Sequence, residues 1–243
     1  MTDRESRTIL LVDGSATTRF YLGMLLGRLE YGVVTAQSAE EALRMMGDSA
    51  PSIVLLETSL PDMSGVKLLQ RIKETPRLKS VPVAMLTSKV DLEERDACLR
   101  LGCAAFFLKP VDPDELYRGI QLMSESAPRA HIRLATSLRV VIGQGAVMGG
   151  SGRIEHATAI SEGGLFVRTI APLPRNTVMQ VRIFLRRKEI AAKAVVLYTV
   201  TTPGGSQNEP GMGMKFIELS DADRKHIHDF IEEQLTENLP PRE

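Results

Sequence analysis

The first half of the chain alternates short apolar runs with amphipathic segments. Ile9-Leu-Leu-Val-Asp13 is a continuous apolar run ending in an acid, the pattern of a strand buried on both faces. Ser15 can cap a following helix in which Phe20, Leu22, Leu25, Leu26 and Leu29 form an inward stripe. Val33–Ala36 reads as a second strand, and Ser38-Ala-Glu-Glu41 as a capping box opening a helix through Met46. The same alternation predicts strands at Ile53–Glu57, Val83–Thr87 and Ala105–Leu108, and helices at Ser64–Lys73, Asp91–Leu101 and Asp112–Met123. Five strands alternating with five helices predict an α/β fold, a doubly wound, five-stranded parallel sheet covered on both faces. In such sheets function gathers at the carboxyl ends of the strands.

After Met123 the period changes to two. Leu134, Leu138, Val140 and Ile142 share a face, as do Met179, Val181, Ile183 and Leu185, and then Ile190, Ala192, Ala194, Val196 and Tyr198. Glycines and prolines punctuate at Gly143–Gly152, Pro172–Pro174 and Pro203–Gly213. Many short strands with turns between them predict a small antiparallel β-barrel or sandwich. A C-terminal helix follows, with Ser220 as cap and Ile227, Phe230, Ile231 and Leu235 at helical spacing. The expected organisation is a first domain over residues 1–124, a linker at 125–128 ending in Pro128, and a second domain over 129–237.

Composition narrows the function. The chain is neutral, and residues 1–124 carry 15 basic against 17 acidic side chains while 125–243 carry 15 against 13. Neither half has the concentrated basic face of a nucleic-acid binder. The only cysteines, Cys98 and Cys103, exclude a disulfide framework and fit a reducing, cytoplasmic address. The polar N-terminus is not that of a signal peptide, and no apolar run approaches the roughly 20 residues that span a bilayer.

Four strand-end residues carry the first candidate chemistry: Asp13, Glu57, Thr87 and Lys109. Together with Leu11-Val-Asp-Gly-Ser15, Leu56-Glu-Thr-Ser-Leu-Pro-Asp-Met-Ser-Gly65, Thr87-Ser88 and Lys109-Pro110, they give residues 7–124 a resemblance to the receiver domain of response regulators, a flavodoxin-like fold. The resemblance implies paired acids after the first strand that help hold Mg²⁺, an aspartate after the third that takes a phosphoryl group, a Thr and Lys that bind its oxygens, and a cis Lys-Pro bond. This chain departs twice. Gly14 stands at the second acid and Glu57 at the acceptor. Gly14 removes an oxygen ligand from a hard cation, so Mg²⁺ is not expected. Glu57 sets its carboxylate one methylene further out and is expected to reach Lys109 and Thr87, as a partial mimic of aspartyl phosphate or as a buried ion pair. Phe106 stands where receivers often carry an aromatic that swings inward, and also suits plain packing on the last helix.

The second candidate set is Arg129-Ala-His-Ile-Arg133 and Ala159-Ile-Ser-Glu-Gly-Gly164, the latter leading into Leu165-Phe-Val-Arg168. With Gly211-Met-Gly-Met-Lys-Phe-Ile217, they give residues 128–236 a resemblance to the PilZ domain, whose marks are RxxxR and (Asp/Asn)xSxxG. That resemblance implies cyclic di-GMP as a non-covalent ligand, held by Arg129, Arg133, Ser161 and Gly164. Guanidinium suits it, since it pairs with guanine O6 and N7, stacks, or binds phosphate. Ala159 replaces the usual Asp or Asn.

His226 and His228, two apart on a helix, make a poor metal pair, and Arg186-Arg-Lys188 reads as a solvated hairpin tip. No catalytic triad, Walker loop or zinc spacing occurs, so no enzyme activity is expected. Two functions fit: a bacterial signal-transduction effector answering to cyclic di-GMP with a receiver not phosphorylated in the usual way, or a constitutive adaptor with both ligand sites degenerate. A protein partner and a homodimer through the receiver suit both, and neither nucleic acid nor membrane is expected.

Overall fold

The computed structural model describes residues 7–89, 91–143, 152–186, 188–201 and 209–239. The chain forms two compact units, divided after Ala130 and again after Leu235.

In the first unit the strands are β1 (Thr8–Val12), β2 (Gly32–Ala36), β3 (Ile53–Glu57), β4 (Val83–Thr87) and β5 (Ala105–Leu108). The helices are α1 (Ala16–Arg28), α2 (Ala39–Asp48), α3 (Gly65–Glu74), α4 (Leu92–Arg100) and α5 (Pro113–Ser124). The sheet order is β2-β1-β3-β4-β5, every pairing parallel, with Leu10 opposite both Val34 and Val54. This is the flavodoxin-like order, in which the chain reverses direction across the sheet between β1 and β3 and opens a crevice at their carboxyl ends. β1, β3 and β4 form the central strands and are almost entirely buried, which is why they read as unbroken apolar runs.

Each helix starts on a side-chain acceptor. Ser15, Ser38, Ser64, Asp91 and Asp112 accept from the amides of Thr18, Glu41, Lys67, Glu94 and of both Asp114 and Glu115, occupying N–H groups that the first helical turn cannot bond itself. Asp62, in the loop after β3, adds a non-local cap. Its carboxylate accepts from the amides of Ala39 (3.0 Å) and Glu40 (2.9 Å) at the start of α2. The α1 stripe needs one correction: Phe20 is 58% exposed, and Tyr21 is buried with Leu22, Leu25 and Leu26. Phe20 stands about 200° around the helix from Leu22, so it faces away from the sheet.

The second unit is a closed barrel of β6 (Leu134–Gly143), β7 (Arg153–Ser161), β8 (Gly164–Arg168), β9 (Val178–Leu185), β10 (Lys188–Val200) and β11 (Gly211–Glu218), in the order β10-β11-β8-β7-β6-β9. The expected alternation places Met179, Val181 and Ile183 of β9 and Ile190, Ala192, Ala194 and Val196 of β10 inside. Tyr198 departs from it. The β10–β11 register slips between Val196 and Tyr198, so Leu197 is an extra residue and Tyr198 emerges on the outer face. The turns read at Gly143–Gly152 and Pro203–Gly213 fall largely outside the described residues.

Helix α6 (Asp221–Thr236) follows the barrel and buries Ile227, Phe230, Ile231 and Leu235. Ser220 accepts from the Asp223 amide at 3.1 Å as its cap. At the β9–β10 hairpin Lys188 pairs with Asp223 of α6 at 3.0 Å, while Arg187 of the expected tip lies outside the described residues.

Candidate functional site

At the carboxyl edge of the parallel sheet, Asp13, Glu57, Thr87 and Lys109 line one cleft of about 940 Å³ together with Gly14, Thr58 and Ser59. The four residues expected from strand ends are therefore brought together. All three charged side chains are more than nine-tenths buried, and Lys109 Nζ bonds both Asp13 Oδ2 and Glu57 Oε2. The Ser15 amide takes the other Asp13 oxygen at 2.8 Å, and the Ser59 amide takes Glu57 Oε1 at 3.2 Å. The Lys109-Pro110 peptide is cis.

Glu57 reaches Lys109 as expected, but it meets Thr87 only through Thr58. Thr58 Oγ1 lies 3.2 Å from Glu57 Oε1 and 3.1 Å from Thr87 Oγ1, both buried. Thr87 in turn accepts from the Lys89 amide at 3.2 Å. A chain of hydrogen bonds thus runs from the acceptor position into the loop after β4. Thr58 was not among the residues singled out in the sequence, because its hydroxyl carries meaning only once β3 and β4 are paired side by side.

The donor set does not fit a hard divalent cation. Gly14 offers no side-chain oxygen, and the ammonium of Lys109 lies between the two carboxylates that would have to hold the metal. A Cβ at Gly14 would meet only Pro61 Cδ at 3.4 Å, so lack of space does not explain the missing acid. Phe106 is half-buried and packs against the apolar cluster of the sheet. Cys98 and Cys103 are buried free thiols, and burial, aided by Cys103 and Glu94, pushes the Cys98 thiol up to about 11. Neither is a ready nucleophile.

The second cleft, about 190 Å³, opens on the barrel. Arg133, Ala159, Ser161 and Gly164 line it together with Leu197, Tyr198, Gly213 and Lys215. Arg129 is not among its lining residues; its amide donates to Gln121 Oε1 at 3.1 Å, and it falls on the first side of the division after Ala130. The turn from Ser161 to Gly164 is fixed from within. Ser161 Oγ donates to the Gly164 carbonyl at 3.2 Å, the Phe216 amide donates to the Gly163 carbonyl at 3.0 Å, and Arg224 donates to the Glu162 carbonyl at 2.8 Å.

The Glu162 carboxylate lies 3.2 Å from His228 Nδ1 and 3.8 Å from His131 Nδ1. Gly164 is required by a different neighbour from the one the motif suggests. A Cβ there would collide with the Met214 carbonyl, so the glycine lets β8 and β11 approach each other. Among the described residues, neither Arg133 nor Lys215 makes an ion pair, and Arg133 is exposed. Tyr198 and Lys215 were missed as site residues. The β-bulge that turns Tyr198 outward leaves no mark in the alternation.

Two family models match the chain one after the other. Residues 9–121 match the response regulator receiver domain and residues 126–233 the PilZ domain. The uncharacterized 14.6 kDa protein in the sodA1 3′ region of Leptolyngbya boryana is 35% identical over 113 residues, which are 46% of this chain and 86% of that protein. The two-component response regulator ORR5 of Oryza sativa subsp. japonica is 33% identical over 45% of this chain and 83% of its own length. Among solved structures, the receiver domain of NtrX from Brucella abortus is 28% identical, covers 49% of this chain and 99% of that chain, and superposes with a TM-score of 0.46. The chain belongs to the response regulator family, as a signal-transduction protein with a receiver domain followed by a PilZ domain.

Proposed function

We propose that this chain is a cyclic di-GMP effector whose signal enters through the barrel and not through the receiver. The observation that carries the reading is the convergence of Arg133, Ser161 and Gly164 on one open cleft in which the guanidinium has no ion-pair partner among the described residues. An unpaired guanidinium at a concave surface is suited to bind phosphate or the O6/N7 edge of guanine. Arg129, four residues earlier, would supply a second cation from the segment joining the two units. Isothermal titration of the full chain with cyclic di-GMP tests this. Binding that weakens in both Arg129→Ala and Arg133→Ala is expected, and no heat at high micromolar ligand sinks the reading.

The receiver, on this reading, acts as a fixed module. Lys109 is neutralised by Glu57 and Asp13, and Thr58 gives Thr87 a hydroxyl partner where a phosphoryl oxygen would otherwise stand. The imitation of a phosphorylated state is partial, since a phosphoryl group adds more charge and three acceptor oxygens. Incubation with acetyl phosphate and Mg²⁺ should leave the mass of the protein unchanged; a stoichiometric adduct on Glu57 would refute a fixed receiver. A module of this kind in the cytoplasm would contribute surfaces for a protein partner or a second copy. The same internally paired charges favour the adaptor alternative, which the cyclic di-GMP titration separates from the effector reading.

A further inference from the structure

Four outward positions lie side by side across the barrel wall next to the Ser161–Gly164 turn. Ala159 of β7 pairs with Phe166 of β8, Phe166 with Gly213 of β11, and Gly213 with Tyr198 of β10. In the middle of this row Gly213 has no side chain, and a Cβ there would collide with the Tyr198 ring. Gly211, two residues earlier on the same face, is overlain in the same way by the Phe166 ring. The two rings stack with centroids 6.2 Å apart and planes at 29°. Tyr198 is 39% exposed and lines the cleft that also holds Arg133 and Lys215. The result is an aromatic ledge bounded by two cations and, on its Ala159 side, by a methyl group in place of a polar side chain.

We propose that this ledge is the base-stacking floor of the nucleotide site, with Tyr198 as the residue on which a guanine of the ligand lies. The inference rests on the cyclic di-GMP reading and deepens it. An aromatic face is worth roughly 1–3 kcal/mol to a stacked base and does not depend on polar groups at the base edge. That is the kind of contact able to replace the hydrogen bond that Ala159 cannot make. Arg133 and Lys215 flank the ledge and would neutralise the phosphates. The two glycines hold the rings flat on the sheet, so the ledge is set before any ligand arrives.

The test is titration of the full chain with cyclic di-GMP in four forms: wild type, Tyr198→Phe, Tyr198→Leu and Gly213→Ala. Tyr198→Phe keeps the ring and should bind within about twofold of wild type. Tyr198→Leu removes the ring face and Gly213→Ala pushes the ring off the sheet, and each should weaken binding about five- to 150-fold, the range of one base–aromatic stack. A nuclear Overhauser contact between Tyr198 ring protons and guanine H8 in the wild-type complex reads the stack directly, whether or not the variants fold. If wild type binds and Tyr198→Leu binds equally well, or the ring–H8 contact is absent, the ledge is overturned and the cyclic di-GMP reading survives. If wild type does not bind, both fall.

Discussion

The receiver cleft and the barrel cleft differ in what their charges are doing. In the receiver, one buried lysine faces two buried carboxylates, and the remaining oxygens accept from Ser15 and Ser59 amides. On the barrel, Arg133 and Lys215 line their cleft without an ion-pair partner among the described residues. The first site pairs its buried charges with one another. The second holds its cations and an aromatic ring in reserve. The difference shows that charged side chains gathered in one cleft can be satisfied by each other or left facing solvent.

The sharpest way to break this comparison is to remove the buried cation. Lys109→Ala leaves Asp13 and Glu57 facing each other without compensation, and deleting one partner of a buried pair costs about 3–5 kcal/mol. Urea denaturation of the full chain should show the receiver unfolding at markedly lower denaturant. A variant that unfolds with wild type would mean that the carboxylates are solvated and the pocket is open after all. Arg133→Ala should behave in the opposite manner. An exposed, unpaired side chain changes stability by no more than about 0.5 kcal/mol. Its loss should nonetheless weaken cyclic di-GMP binding by about 1–3 kcal/mol in isothermal titration.

The fold was legible in the sequence to within a residue or two at most strand ends, because β1, β3 and β4 are buried on both faces and β9 and β10 on one. Those two burial patterns produce the two periods directly. Asp13, Glu57, Thr87 and Lys109 were legible for the same reason, since each ends a readable strand. What escaped was set by contacts between strands. Thr58 matters because Thr87 lies beside it on the neighbouring strand, and Tyr198 because a bulge reverses its face; Gly164 was singled out, but for the approach of a ligand and not for the β11 carbonyl that crowds it. Phe20 was misplaced by including an apolar residue that lies opposite the stripe.

Thr58→Val tests the hydrogen-bond chain with shape conserved. It leaves Glu57 and Thr87 each without one buried partner, which should cost about 1 kcal/mol. Because the Lys89 amide donates to Thr87 Oγ1, its hydrogen exchange should quicken while amides in the middle of β1 and β3 hold their protection. Uniform acceleration across the sheet would instead mark Thr58 as an ordinary packing residue with no specific hold on the loop after β4.

The smallest effect concerns Asp62, and it asks whether the receiver's acids outside the pocket have also become structural. The amide of Ala39 holds the Asp62 carboxyl below its ordinary value; burial opposes this slightly, and the Glu40, Asp62 and Met63 amides add to the lowering. A carboxyl lowered in the folded state stabilises that state above its unfolded pKa, near 3.8, and this stabilisation is lost as pH falls through the folded value. Asp62→Asn should therefore lower stability at neutral pH and approach wild type in acid. The carboxylate is exposed and acts on the first turn of α2, so solvent screening holds the difference to a few tenths of a kcal/mol. Thermal unfolding of both proteins across that pH range, at low and high salt, measures it. A gap unchanged by acid and salt would mean that Asp62 holds α2 through hydrogen-bond geometry that the amide reproduces poorly, and that its charge is incidental.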